Sequence, residues 1–262
     1  MSADPAKLLA LADIAIDRVL PRLRSARDQG DMRMDTKSSA TDIVTEFDQW
    51  SEATIVDGIL AIRPDDGFIG EEGATIAGTT GVVWLIDPID GTTNFVYDLP
   101  GSSVSIAARV DGITTVGAVH DLVRDERFRA VRGAGATLDG APIAPTRLTN
   151  VSTALVATGF SYDADRRRAQ ASALVELLPN IRDIRRLGGA AIDLCMLACG
   201  RVDAYYERGL SPWDFAAGEL IALEAGARID NRDATGGAVV GACPAIADDF
   251  FSLVERVGIH LA

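Results

Sequence analysis

The amino-acid sequence predicts an α+β protein in which sheets and helices are stacked in layers. Hairpin signals cluster in the first half of the chain, where Asp111-Gly112 and Asp139-Gly140 mark turns between strand-like segments. Helical periodicity marks both ends of the chain, and beyond about residue 150 strand-like and helix-like segments alternate. Runs of hairpins combined with runs of helices favour layered sheets covered by helices.

The N-terminal half is predicted to contain helices, short strands and hairpins. Apolar residues at helical spacing predict a first helix over 4–29, which Pro21 should kink or split. The other predicted elements are a helix over 42–62 that ends before Pro64, strands at about 67–69 and 82–88, a hairpin of 103–110 with 113–120, and a hairpin around Asp139-Gly140.

The C-terminal half is predicted to alternate between strands and helices. Residues 142–150 contain two prolines and several polar residues, which marks a boundary between lobes of about 1–145 and 146–262 within a single domain of 1–262. The predicted strands lie at about 154–158, 202–206, 227–230 and 238–241, and the predicted helices at 165–178, 189–199, 213–226 and from 245 onward.

The charge and histidine content limit the chemistry that this chain can perform. Its 262 residues include 38 acidic and 25 basic side chains, for a net charge of −13, and the two histidines are His120 and His260. The acidic balance argues against binding to nucleic acid or to an anionic membrane, because both need a basic face. Two histidines argue against zinc sites built on several imidazoles and leave few candidates for a Ser-His-Asp triad. Asp and Glu side chains must therefore carry much of any active-site chemistry.

Cysteine usage and the N-terminal residues bear on the cellular compartment. Cys195, Cys199 and Cys243 cannot form a disulfide framework and are interpreted as reduced, buried small side chains. The N-terminal residues lack the cationic start and apolar run of a signal peptide, and no apolar run approaches the roughly 18 residues of a membrane span. We therefore expect a cytoplasmic protein.

Three segments place acidic side chains where the chain should turn or where a strand should end. They are Glu71-Glu72 between two glycines, Asp87-Pro88-Ile89-Asp90-Gly91 after an apolar strand, and Trp213-Asp214 before a helix. Each of them alone is usually a surface turn or a helix cap. Converging carboxylates suit a hard cation such as Mg²⁺, and a helix that begins at Gly91-Thr92 would offer an anion site beside it. Together these features predict phosphate chemistry.

The same segments resemble those of the inositol monophosphatases, which belong with fructose-1,6-bisphosphatase to a lithium-sensitive, magnesium-dependent phosphomonoesterase superfamily. DPIDGTTNF at 87–95 is similar to the family's first motif, and WDFAAGELIALEAG at 213–226 is similar to its second. Further matching segments are KSSATDIVTEFD at 37–48, GEE at 70–72 and RRLGGAAIDLCMLACGRVDAYYE at 185–207. The resemblance covers about 35–255 and implies the layered α-β-α-β-α sandwich of that family.

The resemblance implies a ligand set for two or three Mg²⁺ ions per subunit. Glu71, Asp87 and the carbonyl of Ile89 match the residues that hold one ion. Asp87, Asp90 and Asp214 match those that hold a second, and a third, weaker ion is expected near Glu71. Metals placed in this way can bracket the attacking and leaving oxygens of an in-line displacement.

The resemblance also implies how the water and the substrate are held. Thr92, Asp48, Glu71 and Asp90 match the catalytic residues, with Thr92 and Asp48 orienting a metal-activated water. The residues that match substrate-binding positions are Asp90, Gly91, Thr92, Gly188, Gly189, Ala190, Glu207 and Asp214. Lys37 and Glu72 match residues near the metals, and the Arg185-Arg186 pair could steer phosphate, lie at a subunit interface or be solvated.

Two positions depart from the family pattern. Family members usually carry Ser or Thr where this chain has Gly189, and many carry Ser where it has Gly73. The first departure removes a possible hydroxyl contact and therefore bears on substrate preference. Neither departure touches a residue that matches a metal ligand.

The resemblance implies a homodimeric phosphatase that hydrolyses a small phosphorylated polyol, D-myo-inositol 1-phosphate before others. Histidinol phosphate, fructose 1,6-bisphosphate, NADP and 3′-phosphoadenosine phosphate remain alternative substrates, since the metal motifs are shared among these phosphatases. A role of another class also remains open, because bacterial relatives of this fold are reported to bind transcription machinery.

Overall fold

The computed structural model describes residues 3–29, 34–36, 43–230 and 238–258, and these residues form alternating layers of helix and sheet. The helices are α1 Pro5–Gln29, α2 Glu46–Leu60, α3 Thr92–Val96, α4 Ala164–Leu177, α5 Ala190–Ala198, α6 Pro212–Ala225 and α7 Ala247–Arg256. Short 3₁₀ turns lie at Val151–Thr153, Leu178–Asn180 and Pro244–Ile246.

The strands form a large sheet, a smaller sheet and one short pair. The large sheet contains β3 Gly67–Gly70, β4 Thr75–Ile76, β5 Val82–Asp90, β6 Ser103–Val110, β7 Ile113–Asp121, β8 Glu126–Val131, β9 Ala136–Leu138 and β10 Ala141–Pro142. The smaller sheet contains β11 Leu155–Thr158, β12 Asp183–Arg185, β13 Ala204–Arg208, β14 Arg228–Asp230 and β15 Ala238–Ala242. The short pair is β1 Met34–Thr36 with β2 Ile43–Thr45.

The order of the strands in the large sheet places the C-terminal ends of β3 and β5 side by side. The large sheet runs β10-β9-β8-β7-β6-β5-β3-β4, and its neighbours are antiparallel except for β3 with β5. The smaller sheet runs β12-β11-β13-β15-β14, with β11 parallel to both β12 and β13. Because β3 and β5 are parallel, the acidic segments that follow both strands emerge at the same edge.

Three apolar clusters pack the layers together. The order of these layers confirms the predicted α-β-α-β-α arrangement. Helices α1 and α2 pack on one face of the large sheet, where Ile16 and Ile55 are fully buried. Helices α5 and α6 lie between the two sheets, and every residue of α5 is buried because the helix is covered on both sides. Helices α4 and α7 cover the far face of the smaller sheet with Leu177 and Phe250.

The predicted split of the first helix at Pro21 and the predicted start of the second helix are both wrong, and the structure gives the reason for each. Helix α1 runs without a break through Pro21, because Val19 and Leu23 on either side of the proline are fully buried against the core. Helix α2 begins at Glu46, four residues after the predicted start, since Thr45 caps it. The Thr45 hydroxyl accepts a hydrogen bond from the Phe47 amide at 3.1 Å.

Strand β8 was not predicted, because charged residues interrupt its apolar pattern. Its Arg127 and Arg129 project toward α1, where Arg127 pairs with Asp17 at 2.6 Å and Arg129 pairs with Asp13 at 2.9 Å. The short strands β4 and β12 were also missed. The two predicted hairpins are confirmed, because each has a two-residue turn that begins with an aspartate at positive φ and continues with a glycine.

The cysteine prediction is confirmed for the thiol state. All three are free thiols, with Cys195 and Cys243 buried and Cys199 partly buried. Among the described residues, no helix is both long enough and apolar enough to cross a membrane.

Candidate active site

A bulge at the end of β5 turns two carboxylates to the same side of the large sheet. Asp87 pairs with Ser105 of β6 and Asp90 pairs with Ser103, so a step of three residues on β5 matches a step of two on β6. Side chains three apart in a regular strand point to opposite faces. The extra residue therefore brings Asp87 and Asp90 into one pocket.

The turn after this bulge requires a glycine. Gly91 has φ +79°, and a Cβ at this position would lie 2.3 Å from the carbonyl oxygen of Gly101. Helix α3 begins immediately afterward at Thr92, which meets the condition for an anion site at this helix start. The glycine thus allows β5 to turn directly into a short helix at the pocket wall.

Thr92 is connected to α2 through Asp48. The Thr92 hydroxyl lies 3.0 Å from Asp48 Oδ1 and 3.0 Å from the carbonyl oxygen of Ile89, and it can donate its single proton to one of them at a time. The other oxygen of Asp48 accepts hydrogen bonds from the Thr45 amide at 2.8 Å and the Thr45 hydroxyl at 2.6 Å. Burial raises the pKa of Asp48, and these hydrogen bonds act against that rise.

Asp90 caps helix α5 from a different part of the chain. Its Oδ1 accepts a hydrogen bond from the Ala190 amide at 3.0 Å, and its Oδ2 accepts one from the Ala191 amide at 3.0 Å. The Ser103 hydroxyl donates to Oδ2 at 3.1 Å. Gly189, the residue before α5, has no side chain with which to cap the helix. Asp90 supplies the missing cap.

The structure explains why this chain has glycine at position 189, where family members usually carry Ser or Thr. A Cβ on Gly189 would lie 2.6 Å from Asp90 Oδ2 and 3.0 Å from the carbonyl oxygen of Gly101. The glycine therefore makes room for the Asp90 carboxylate against the start of α5. A serine or threonine at this position would require that carboxylate to move.

The remaining acids reach the pocket from β13, α6 and the turn after β3. Asp214 lies in the first turn of α6, where its Oδ2 accepts the Ser211 amide at 2.6 Å in a capping box. Glu207 lies next to the last residue of β13 and accepts a hydrogen bond from the Tyr205 hydroxyl at 2.9 Å. Glu71 follows β3, and its amide donates to the carbonyl of Ile86 at 3.2 Å.

One pocket contains most of the residues that the sequence singled out. The residues predicted from the sequence that line this pocket are Glu71, Asp87, Ile89, Asp90, Gly91, Thr92, Gly188, Ala190, Glu207 and Asp214. Asp48 lies behind Thr92, and Gly189 lies against Asp90 rather than in the lining. The Glu72 amide donates to Glu52 at 2.8 Å, and Lys37 falls outside the described residues.

The electrostatics of the pocket favour binding of a cation. Burial raises the pKa of Asp87 and of Asp214 well above the usual carboxyl range, and the charge of Glu71 adds to both shifts. Burial raises the pKa of Asp90 to about 7, and the charge of Glu207 acts in the same direction. Carboxylates held this close resist ionisation unless a positive charge offsets their repulsion.

The donor set suits a hard divalent cation in its chemistry. It consists of carboxylate oxygens and the carbonyl of Ile89, which are the ligand types that Mg²⁺ takes in proteins. Among the described residues, no three His, Cys, Asp or Glu side chains already form a ready-made metal site. Oxygens of Asp90 and Asp214 instead accept backbone amides, so these side chains would need to adjust to hold an ion.

The pocket also contains residues that the sequence analysis missed. Phe160, Tyr162 and Leu210 line the pocket. Of the two neighbouring arginines, Arg186 also lines the pocket, whereas Arg185 lies outside it and pairs with Asp183 at 2.8 Å. No local sequence signal marked the aromatic pair, because its place at the pocket depends on the pairing of β11 with β13. Residues that follow parallel neighbouring strands reach the same edge, where Glu207 also lies.

Known proteins resemble this chain along most of its length. A profile of the inositol monophosphatase family matches residues 4–252. The chain is 42% identical to the Inositol-1-monophosphatase SuhB of Mycobacterium tuberculosis over 97% of its own length and 95% of that protein. It is 43% identical to the Nus factor SuhB of Escherichia coli over 77% of its length and 76% of that protein. The solved structure of a Thermotoga maritima IMPase superimposes with a TM-score of 0.87 at 30% identity, covering 98% of this chain and 100% of the other.

Proposed function

The chain belongs to the inositol monophosphatase family, and from this premise we propose that it hydrolyses a small phosphate monoester with the help of Mg²⁺. D-myo-inositol 1-phosphate is the first candidate substrate. The products are the free alcohol and inorganic phosphate.

The charge of the pocket lining is the observation that carries the proposal. The lining includes the acids Glu71, Asp87, Asp90, Glu207 and Asp214. Arg186 is the basic residue that lines the pocket within the described part of the chain. A phosphate dianion would be repelled from these acids, so a cation must be present before the substrate can bind.

The proposed cation sites follow the ligand set that the family resemblance implies. Glu71, Asp87 and the Ile89 carbonyl would hold one Mg²⁺, and Asp87 with Asp90 and Asp214 would hold a second. A third ion near Glu71 belongs to the same proposal. When bound, Mg²⁺ supplies positive charge that stabilises the negative charge developing on the phosphate oxygens.

Thr92 and Asp48 are proposed to orient the attacking water. When the Thr92 hydroxyl donates its proton to Asp48, its own lone pairs are left to accept a hydrogen bond from water. That hydrogen bond would fix one proton of the water and direct its oxygen toward phosphorus, with Glu71 as a further group that positions the water. Thr92 is not a covalent nucleophile in this scheme.

The rest of the pocket is proposed to hold the substrate. The amides of Gly91 and Thr92 would donate to phosphate oxygens at the start of α3. Glu207 would accept hydrogen bonds from polyol hydroxyls, and Gly188 to Ala190 would form the adjacent wall. The Tyr205 hydroxyl orients the Glu207 carboxylate for this contact.

A phosphate-release panel tests the proposed substrate. We expect D-myo-inositol 1-phosphate to be turned over at least about tenfold more efficiently than histidinol phosphate, fructose 1,6-bisphosphate, NADP or 3′-phosphoadenosine phosphate, a ratio within the reach of differential binding. We also expect inhibition by Li⁺. A tenfold preference for histidinol phosphate would overturn the choice of substrate and leave the phosphatase assignment in place.

A second candidate function is the binding of transcription machinery. The specific observation in its favour is the name of the Escherichia coli relative, Nus factor SuhB, at 43% identity. Capture of transcription proteins by an Asp90→Asn variant that has lost turnover would support this role as separate from catalysis. We further propose a homodimer from the family resemblance, which light scattering after size-exclusion chromatography would test.

A further inference from the structure

We propose that Glu52 of α2 positions the turn that carries Glu71 and thereby sets the affinity of the pocket for its divalent cation. This inference rests on the proposed function. Glu52 lies outside every acidic segment that the sequence analysis singled out, and it does not line the pocket.

Both oxygens of Glu52 anchor the turn that follows Glu71. Oε2 accepts a hydrogen bond from the Glu72 amide at 2.8 Å, and Oε1 accepts one from the Ala74 amide at 2.9 Å. The side chain is buried, with 5% of its surface exposed. The Gly70 amide closes the turn by donating to the carbonyl of Ala74 at 2.8 Å. Glu71 is therefore placed inside a turn whose two ends are tied to α2 and to β3.

Gly70 gives independent evidence that the carboxylate belongs at this place. A Cβ on Gly70 would lie 2.2 Å from Glu52 Oε2. The backbone of Gly70 does not adopt a positive φ, so its conformation alone does not require glycine. The absence of a side chain at position 70 thus has one evident consequence, which is space for the Glu52 carboxylate beside the backbone.

Three polar residues of α2 hold the two metal-binding segments against each other. Asp48, Ser51 and Glu52 are spaced three and four residues apart and share one face of the helix. Asp48 contacts Thr92, and the Ser51 hydroxyl lies 3.4 Å from the carbonyl of Pro88. One rigid helix face therefore contacts both the segment of Asp87 to Thr92 and the turn of Glu71. Glu52 is the member of this face that fixes Glu71.

A Glu52→Gln substitution tests this positioning role. Glutamine keeps the size of the side chain but has a single acceptor oxygen, so its NH₂ group would face one of the two amides. We expect the dissociation constant for Mg²⁺, measured by calorimetry without substrate, to rise by about tenfold, because the turn that carries Glu71 loses one of its two anchoring hydrogen bonds. At saturating Mg²⁺, kcat should stay within about threefold of wild type, because the reacting groups themselves are unchanged.

Two further variants make the result specific. Gly70→Ala should weaken Mg²⁺ binding in the same direction, because the new Cβ displaces the Glu52 carboxylate without changing any charge. Glu46→Gln is the matched control, since Glu46 lies exposed on the same helix and the substitution makes the same charge change. It should leave Mg²⁺ binding as in wild type. If Glu52→Gln fails to fold, Gly70→Ala decides the matter.

The outcomes separate this inference from the proposed function. A folded Glu52→Gln protein that binds Mg²⁺ as tightly as wild type overturns the inference, and so does a loss of kcat with unchanged Mg²⁺ affinity. Either result leaves the phosphatase assignment standing. If wild type itself neither binds Mg²⁺ nor releases phosphate, the proposed function fails and the role of Glu52 fails with it.

Discussion

Asp90 has two partners that compete for the same oxygens. It caps α5 through the amides of Ala190 and Ala191, and it is also the proposed ligand of a cation. A carboxylate has about four lone-pair positions, so once the side chain adjusts a cation can share it with one or both amides. The residue therefore connects the cation to the segment at 188–190 that is proposed to hold the substrate.

Replacement of Asp90 by asparagine should abolish turnover while the fold remains. Asparagine retains one acceptor for the start of α5 but loses the negative charge that a cation requires. We expect kcat/KM for phosphate release to fall by roughly a hundredfold or more, with an unchanged far-ultraviolet circular dichroism spectrum. Asp111→Asn, in an exposed hairpin turn, is the matched control and should retain full activity. Wild-type activity in Asp90→Asn would remove the basis of the assignment.

The Thr92 hydroxyl can be tested apart from the shape of its side chain. Thr92→Val keeps the branched shape but removes the group that contacts Asp48, so kcat should fall about a hundredfold through loss of water orientation. Thr92→Ser keeps the hydroxyl and should stay within about fivefold of wild type. The Mg²⁺ dissociation constant should be similar in both. Equal activities of the valine and serine variants would show that the hydroxyl is not used.

At the scale of single elements, the sequence identified the acidic segments but not their geometry. The hairpins and the helix start at Thr92 were predictable, because Asp-Gly turns and a glycine before a polar helix start act locally. The bulge between Asp87 and Asp90 was not, since it exists only in the pairing of β5 with β6. Phe160 and Tyr162 were missed for the same reason, as their position depends on the neighbouring strand β13.

The turn from β5 to α3 should depend on Gly91 for more than its backbone conformation. In Gly91→Ala, an alanine would have to adopt a positive φ, and its Cβ would also lie 2.3 Å from the carbonyl oxygen of Gly101. Gly73→Ala is the matched control, because Gly73 also has a positive φ and nothing lies within 4 Å of its Cβ position. The control should lose about 1–2 kcal/mol in the free energy of unfolding, as is usual for an L-residue in that conformation.

Gly91→Ala should lose clearly more stability than this control and should also lose activity. Urea denaturation followed by circular dichroism measures the difference between the two variants. Equal losses would show that the contact with Gly101 relaxes without cost.

At the scale of the whole molecule, the net charge of −13 acquires a local meaning. An acidic protein is a poor receptor for phosphate until cations reverse the charge of one pocket. Five of its acids line that pocket, and two or three Mg²⁺ ions would bring about +4 to +6 there. Binding of inorganic phosphate should therefore disappear when a chelator removes the cations.

The stability of the metal-free protein should fall as the pH rises from about 4.5 to 7, between the ordinary pKa of an aspartate and the raised pKa of Asp90 in the folded state. Burial raises the pKa of Asp90 to about 7 and that of Asp87 and Asp214 well above the usual range. The folded state then binds more protons than the unfolded state, so deprotonation favours unfolding. Burial lowers the pKa of His120 to about 4, which acts in the opposite direction between about pH 4 and 6.5, and the three acids outweigh this single group.

Thermal unfolding in a chelator and in Mg²⁺ measures this dependence. We expect the midpoint in the chelator to fall with pH, Mg²⁺ to restore it, and Asp90→Asn to flatten the curve. A midpoint that stays level or rises with pH in the chelator would show that the acids ionise in the folded state without penalty.

Release of inorganic phosphate from D-myo-inositol 1-phosphate, followed first in Mg²⁺ and then in excess chelator, tests the central claim most directly. We predict turnover in Mg²⁺, loss of turnover in the chelator and recovery when Mg²⁺ is added in excess. Asp90→Asn should be inactive in all three conditions. Phosphate release that continues in the chelator, or the absence of release in Mg²⁺, would contradict the claim that this acidic pocket is a cation-dependent phosphatase site.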